Sequence, residues 1–226
     1  WSDEEGFEAA TRKSGITGIC GSGIIEVIAE MYLAGILSSD GVIDGAMAAK
    51  SPRIVADGRT FSYVLRDGES EIKIYQTDVR AIQLAKAALY AGAKLLMDRL
   101  GLEKVDRIKL TGAFGSHIDT KYAMILGMIP DCELDEVQAV GNAAGIGARI
   151  ALLNNSARDE IEELVKTVEK VETAVEPKFQ QYFVEAMAIP HKTASYPNLS
   201  KAVKMPPPKI ISDGGGEGGR RRRRRV

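Results

Sequence analysis

Leu110-Thr111-Gly112-Ala113-Phe114-Gly115 decides the fold. Ile108 and Leu110 alternate with polar neighbours over Arg107–Thr111, as a half-buried strand requires. The strand pattern stops at a glycine. Glycine tolerates positive φ and carries no Cβ, so backbone can come close to a ligand there.

Working backward, a long helix is expected from Asp78 to Leu100, capped by Thr77 and ended by Gly101. Val79, Ile82, Leu89 and Leu96 recur along it, amid many alanines. Before it, Phe61, Tyr63 and Leu65, then Ile72 and Ile74, alternate on either side of Asp67-Gly68, predicting a hairpin. Further back, Gly18-Ile19-Cys20-Gly21-Ser22-Gly23 opens a helix over Ile24–Leu37. Ser22 is its expected N-cap, Glu26 lies in the first turns, and Ile24, Val27, Ile28 and Met31 form its apolar face.

Working forward, a short helix is expected at Thr120–Leu126 and a second strand at Val137–Val140. That strand runs into Gly141-Asn142-Ala143-Ala144-Gly145-Ile146-Gly147, which opens a helix ending near Leu153. A last helix starts at Ser156, with Ile161, Leu164, Val165 and Val168 on one face. Pattern is lost after Pro190, and residues 191–226 read as a disordered basic tail. Residues 1–14 read as the edge of an upstream domain, and 15–190 as the body.

The chain has 226 residues, 45% of them hydrophobic, enough for one packed domain or two small ones. It begins with Trp1 and is expected to be a piece of something longer. No apolar stretch nears the roughly 20 residues of a membrane span. Two cysteines, Cys20 and Cys132, are too few for a secreted disulfide scaffold or a thiolate zinc site, so a cytoplasmic protein is expected. Both thiols read first as small core residues. Residues 191–226 hold ten Lys or Arg against two acids, a net +8, which leaves −9 for the rest. An acidic body argues against a nucleic-acid binder, and Arg220 to Arg225 read as a solvated extension.

Three glycine clusters thus adjoin a helix start, a strand end and a strand-to-helix junction. Helix N-termini and close-approach turns are the parts of a nucleotide site. No Walker A pattern is present, nor a clean G-x-G-x-x-G after a strand, and each cluster alone could equally be a packing surface.

The ordered set Gly18–Ile25, Gln83–Ala88, Gly112–Gly115 and Gly141–Gly145 resembles the C-terminal ATPase domain of the reductive activators of corrinoid proteins. These belong to the actin, Hsp70 and sugar-kinase fold. The resemblance implies an α/β fold: the C-terminal lobe of an actin/Hsp70-like (ribonuclease-H-like) ATPase domain, a mixed sheet flanked by helices. It implies ATP with Mg²⁺, and a [2Fe-2S] cluster in the full-length parent only, since four thiolates are needed. The implied activity is return of Co(II) in an inactivated corrinoid protein to Co(I). The implied partners are that corrinoid protein, from a methyltransferase system, and a second copy in a homodimer.

On this resemblance Gly112, Ala113, Phe114 and Gly115 would lie at adenosine, and Gly21, Ser22 and Gly23 on the ribose or phosphate side. Gln83 and Lys86 would face adenine; otherwise they lie on a solvated helix face. Asn142 reads as a helix-start hydrogen-bonder, and His117 as a polar loop residue. No catalytic residue and no metal ligand is named, because the phosphate-handling segments of the family lie upstream. Two other readings stay open. One is an activator of a radical 2-hydroxyacyl-CoA dehydratase with Cys20 as a cluster ligand. The other is a non-catalytic dimerisation or docking lobe.

Overall fold

The structure is a computed structural model that describes residues 15–68, 70–207 and 209. The expected edge at 1–14 and the arginine run lie outside these residues.

Helix α1 covers Gly21–Leu33, starting earlier and ending sooner than expected. Gly35, at φ +69°, reverses the chain at its end, where the Ile36 N–H donates to the Met31 carbonyl at 2.9 Å. Its buried face is Ile25, Ile28, Ala29, Met31 and Tyr32. Ile24, expected on that face, packs at its margin. A 3₁₀ turn at Gly45–Ala49 follows, capped by Asp44, whose carboxylate accepts from the Ala46 N–H at 2.9 Å.

Strands β1 (Ile54–Asp57), β2 (Thr60–Arg66) and β3 (Ile72–Ile74) form an antiparallel sheet in that order. The expected hairpin is β2–β3. Strand β1 was not expected, although Asp57-Gly58 supplies its turn to β2. Phe61, Tyr63 and Leu65 pack against the main core, while Ser62 and Val64 are buried more deeply on the opposite side of the strand.

Helix α2 runs from Gln76 to Arg99. Thr77 is not its cap. Instead the Asp78 carboxylate reaches back to the Tyr75 N–H at 2.8 Å. Gly101, at φ +66°, ends it as expected. The core face carries Val79, Gln83, Lys86, Ala87, Tyr90, Ala91 and Leu95, whereas Leu89 and Leu96 are exposed. The apolar count pointed at the leucines. The packing instead selected the face whose small residues let the C-terminal segment close in.

Strand β4 (Ile108–Leu110) leads into the helical turn α3 (Gly112–Gly115), then α4 (Thr120–Ile125). Strand β5 (Val137–Ala139) pairs in parallel with β4, Ile108 opposite Val137 and Leu110 opposite Ala139. Helices α5 (Ala143–Leu153) and α6 (Asn155–Val165) follow, then α7 (Phe179–Glu185) and α8 (Pro197–Ala202). The core joins α1, Met124 to Leu126 of the α4 end, Val137, Ile189 and Leu199.

The expected loss of order at Pro190 is corrected by the structure. Tyr196 and Leu199 are buried, the Tyr196 hydroxyl donates to the Ile129 carbonyl at 3.0 Å, and Asp131 caps α8 through the Asn198 and Leu199 N–H groups. Polar composition hid two aromatic and aliphatic anchors. Among the described residues no helix is long and apolar enough to cross a membrane.

Candidate functional site

Residues 15–20 run without regular structure into α1. Cys20, not Ser22, is the N-cap: its sulfur accepts from the Gly23 N–H at 3.4 Å, and its carbonyl from the Ile24 N–H at 3.0 Å. Cys20 is exposed, which corrects the core-thiol expectation, whereas Cys132 is buried as expected. The Ser22 hydroxyl beside it, then the Gly23 N–H, hold the Cys20 thiol below its ordinary pKa.

One helical turn on, Glu26 and Glu30 face a cavity of about 640 Å³ that Ile16, Ile19, Cys20, Ser22 and Tyr122 also line. The Tyr122 hydroxyl donates to Glu30, and that bond pushes the phenol up to about 12.

The second turn meets the first. Phe114 is 52% exposed, and its ring lies over Gly21, where an added Cβ would come within 2.6 Å of the ring. Only glycine permits that approach. Gly112 takes φ +96°, and its N–H donates to the Gly141 carbonyl at 2.9 Å. Gly141, at φ +73°, turns the chain from β5 into α5. Asn142 caps α5 through the Gly145 N–H at 3.0 Å, the helix-start role expected for it. All three glycine clusters therefore converge at the carboxyl ends of two parallel strands, where open α/β sheets place their ligands.

Gln83 and Lys86 are elsewhere. They are 3% and 1% exposed, so neither a solvated face nor an adenine-facing pair describes them. The Gln83 amide donates to the Asp40 and Met187 carbonyls at 3.0 and 2.8 Å. The Lys86 amine donates to the Ala188 and Pro190 carbonyls, the latter at 2.8 Å. Burial lowers Lys86 to about 7. Burial favours the neutral form of the amine, whose two N–H groups would match the two carbonyls. Both side chains thus clamp the C-terminal segment onto α2.

Nearby, His191 accepts at Nδ1 from the Thr193 and Ala194 N–H groups, and burial takes it down to about 4. His117 is exposed, consistent with a polar loop residue.

Glycine approach and an exposed aromatic ring suit the nucleoside end of a nucleotide. The phosphates fare differently. The cavity lining carries two carboxylates and no Lys or Arg, and no group of three His, Cys, Asp or Glu among the described residues could hold a metal ion. The two thiols, one exposed and one buried, do not fit a [2Fe-2S] cluster.

The profile of the C-terminal domain of RACo, the ASKHA domain, matches residues 3–200. The chain belongs to this family. Its match to Corrinoid activation enzyme RamQ of Eubacterium limosum is 34% identical over 184 residues, covering 76% of this chain and 31% of the relative. A solved structure, "Reductive activator for corrinoid,iron-sulfur protein", superposes with TM-score 0.68 at 33% identity, covering 77% of this chain and 28% of that one. The chain thus spans less than a third of either relative. Membership in the RACo C-terminal family makes the α/β lobe of an ASKHA domain the fold of this chain, as the motif resemblance implied.

Three roles were not read from the sequence. Cys20, named there as a core thiol or a cluster ligand, is the N-cap of α1, and it had a signal in standing just before the helix start. Tyr122 and Thr111 had none, since their partners lie 92 and roughly 30 residues away in the chain.

Proposed function

We propose that this chain is the adenosine-side lobe of an ATP-dependent reductive activator of corrinoid proteins. The activator would return Co(II) of an inactivated corrinoid protein to Co(I), using one electron from an iron–sulfur domain outside this chain. The observation that carries the reading is the meeting of three glycine turns at the ends of β4 and β5, with Phe114 seated on Gly21, in a member of the RACo C-terminal family. In this reading Phe114 and the Gly112–Gly115 turn contact adenosine, and Gly21, Ser22 and Gly23 contact the ribose side. Mg²⁺ and phosphate contacts come from polypeptide other than the lining found here, because Glu26 and Glu30 repel phosphate. The corrinoid partner belongs to a methyltransferase system, the working form is a homodimer, and the location is the cytoplasm.

The test gives the intact activator ATP, a low-potential reductant and the corrinoid partner, and follows Co(I) absorbance. Co(I) should rise with ATP and fall severalfold with Phe114→Ala. No ATP-dependent Co(I) in the wild type overturns the reading. The exposed Cys20 is the one observation that favours a dehydratase activator instead. That reading requires an oxygen-labile cluster lost on Cys20→Ser.

A further inference from the structure

Thr111 is the last residue before the Gly112 turn, and the glycine pattern does not single it out. Its hydroxyl donates to the Gly141 carbonyl at 2.9 Å and accepts from the Ala143 N–H at 3.0 Å. The same Gly141 carbonyl receives the Gly112 N–H at 2.9 Å. One side-chain oxygen therefore ties two points of the turn after β5 to the turn after β4.

The need for such a tie follows from where the ladder stops. Strands β4 and β5 pair over only three residue positions, and the Val140 N–H to the Leu110 carbonyl, at 2.8 Å, is the next bond beyond. Past that bond both chains turn at glycines in the left-handed region, where backbone freedom is greatest. The relative position of the turns is then set by links between them. A threonine hydroxyl can donate once and accept, and here it does both.

A second consequence concerns α5. Its early N–H groups at Ala143 and Gly145 are taken by Thr111 and Asn142. The Gly141–Gly147 cluster consequently holds the geometry of the site, with fewer free donors for an anion.

We infer that Thr111 is a positioning residue: its hydroxyl locks the Gly112 and Gly141 turns into one unit and so sets the gap that the ligand of this site enters. The ligand is a nucleotide only if the proposed function holds; the locking does not depend on it.

The test compares Thr111→Val, which keeps the shape without the hydroxyl, with Thr111→Ser, which keeps the hydroxyl. Amide exchange is read over 112–116 and 141–146 in the full chain, with ATP affinity read in the intact activator. Thr111→Val should speed exchange about 5- to 100-fold in both turns, as expected for loss of the two hydrogen bonds that the hydroxyl makes. It should weaken ATP binding by a similar factor while the core amides of α1 and α2 stay protected. Thr111→Ser should restore both. Wild-type exchange in Thr111→Val, or a change confined to one turn, overturns the inference. Uniform loss of protection through the core also overturns it, by making Thr111 a stability residue alone. Faster exchange in both turns of Thr111→Val, with no ATP binding in any form including the wild type, leaves the lock standing and removes the nucleotide reading.

Discussion

Helices α2 and α6 both carry apolar stripes, yet one is clamped and the other is bare. α2 buries Gln83 and Lys86 under the segment 187–190, and the Tyr182 hydroxyl, Lys94 and Lys178 meet at Asp98 to hold α7 beside it. Helices α5 and α6 bury no residue at all. Leu153 is 80% exposed and Leu164 is 64% exposed, and Ile146, Ile150 and Val165 join them. The contrast teaches that apolar periodicity predicts an amphipathic helix but not its burial. Burial of α2 came where a distant segment packed on its small-residue face, and Gln83 and Lys86 pair that segment's carbonyls.

The largest expected effect is in the main core, at Leu199 of α8, which is fully buried. Leu199→Ala should lose about 2–5 kcal/mol in denaturant unfolding, as for a large-to-small change in a packed core. Leu164→Ala on the bare helix should cost no more than about 0.5 kcal/mol, as for a surface change. Equal losses would break the comparison.

Gln83→Ala should cost about 1–3 kcal/mol, since the Asp40 and Met187 carbonyls then lose a buried donor. A neutral result would remove Gln83 from the clamp.

The pH dependence of Lys86 gives a subtler test. Its folded pKa, about 7, lies below the unfolded value of about 10.4. Between those values the unfolded chain holds the extra proton, so the buried amine penalises folding below pH 7 and the penalty fades as pH rises toward 10. The stability of the wild type relative to Lys86→Met should therefore grow from pH 7 to pH 9.5. A flat or falling difference contradicts a buried, neutral amine.

The smallest shift is expected in acid. Lys94 first, then the Tyr182 hydroxyl, holds Asp98 at about 2 in the folded chain, below its unfolded value. That contribution is present above the unfolded carboxylate range and is lost as pH falls through about 2. Asp98→Asn should flatten the acid limb of the stability profile slightly, and an unchanged limb would show that the α2–α7 junction does not rest on this ion pair.

The backbone turns of the candidate site were legible. Gly112 and Gly141 adopt positive φ, and strand-then-glycine order placed the two turns at strand ends. The cap positions were legible to within two residues: Cys20 replaced Ser22, and Asp78 replaced Thr77, because the capping atom can come from several neighbours. The exposed Cys20 and the buried Lys86 were misplaced because residue type gives only an average preference for burial. Lys86 is drawn in by carbonyls 102 and 104 residues away, whereas Cys20 sits at the exposed start of α1 with local partners alone.

The sequence by itself determined the hairpin β2–β3, the strands β4 and β5, most helices and the glycine turns, all of which follow from local sterics and from periodicities of two and 3.6 residues. The family followed from the resemblance of the ordered motifs, which the family match bears out. Only the tertiary structure decided that Phe114 rests on Gly21, that Thr111 joins two turns, and that Gln83 and Lys86 serve the C-terminal segment. Each of those is a contact between residues about 30 to 104 positions apart. Its geometry is fixed by packing and by the need to pair buried donors and acceptors, which no local pattern records.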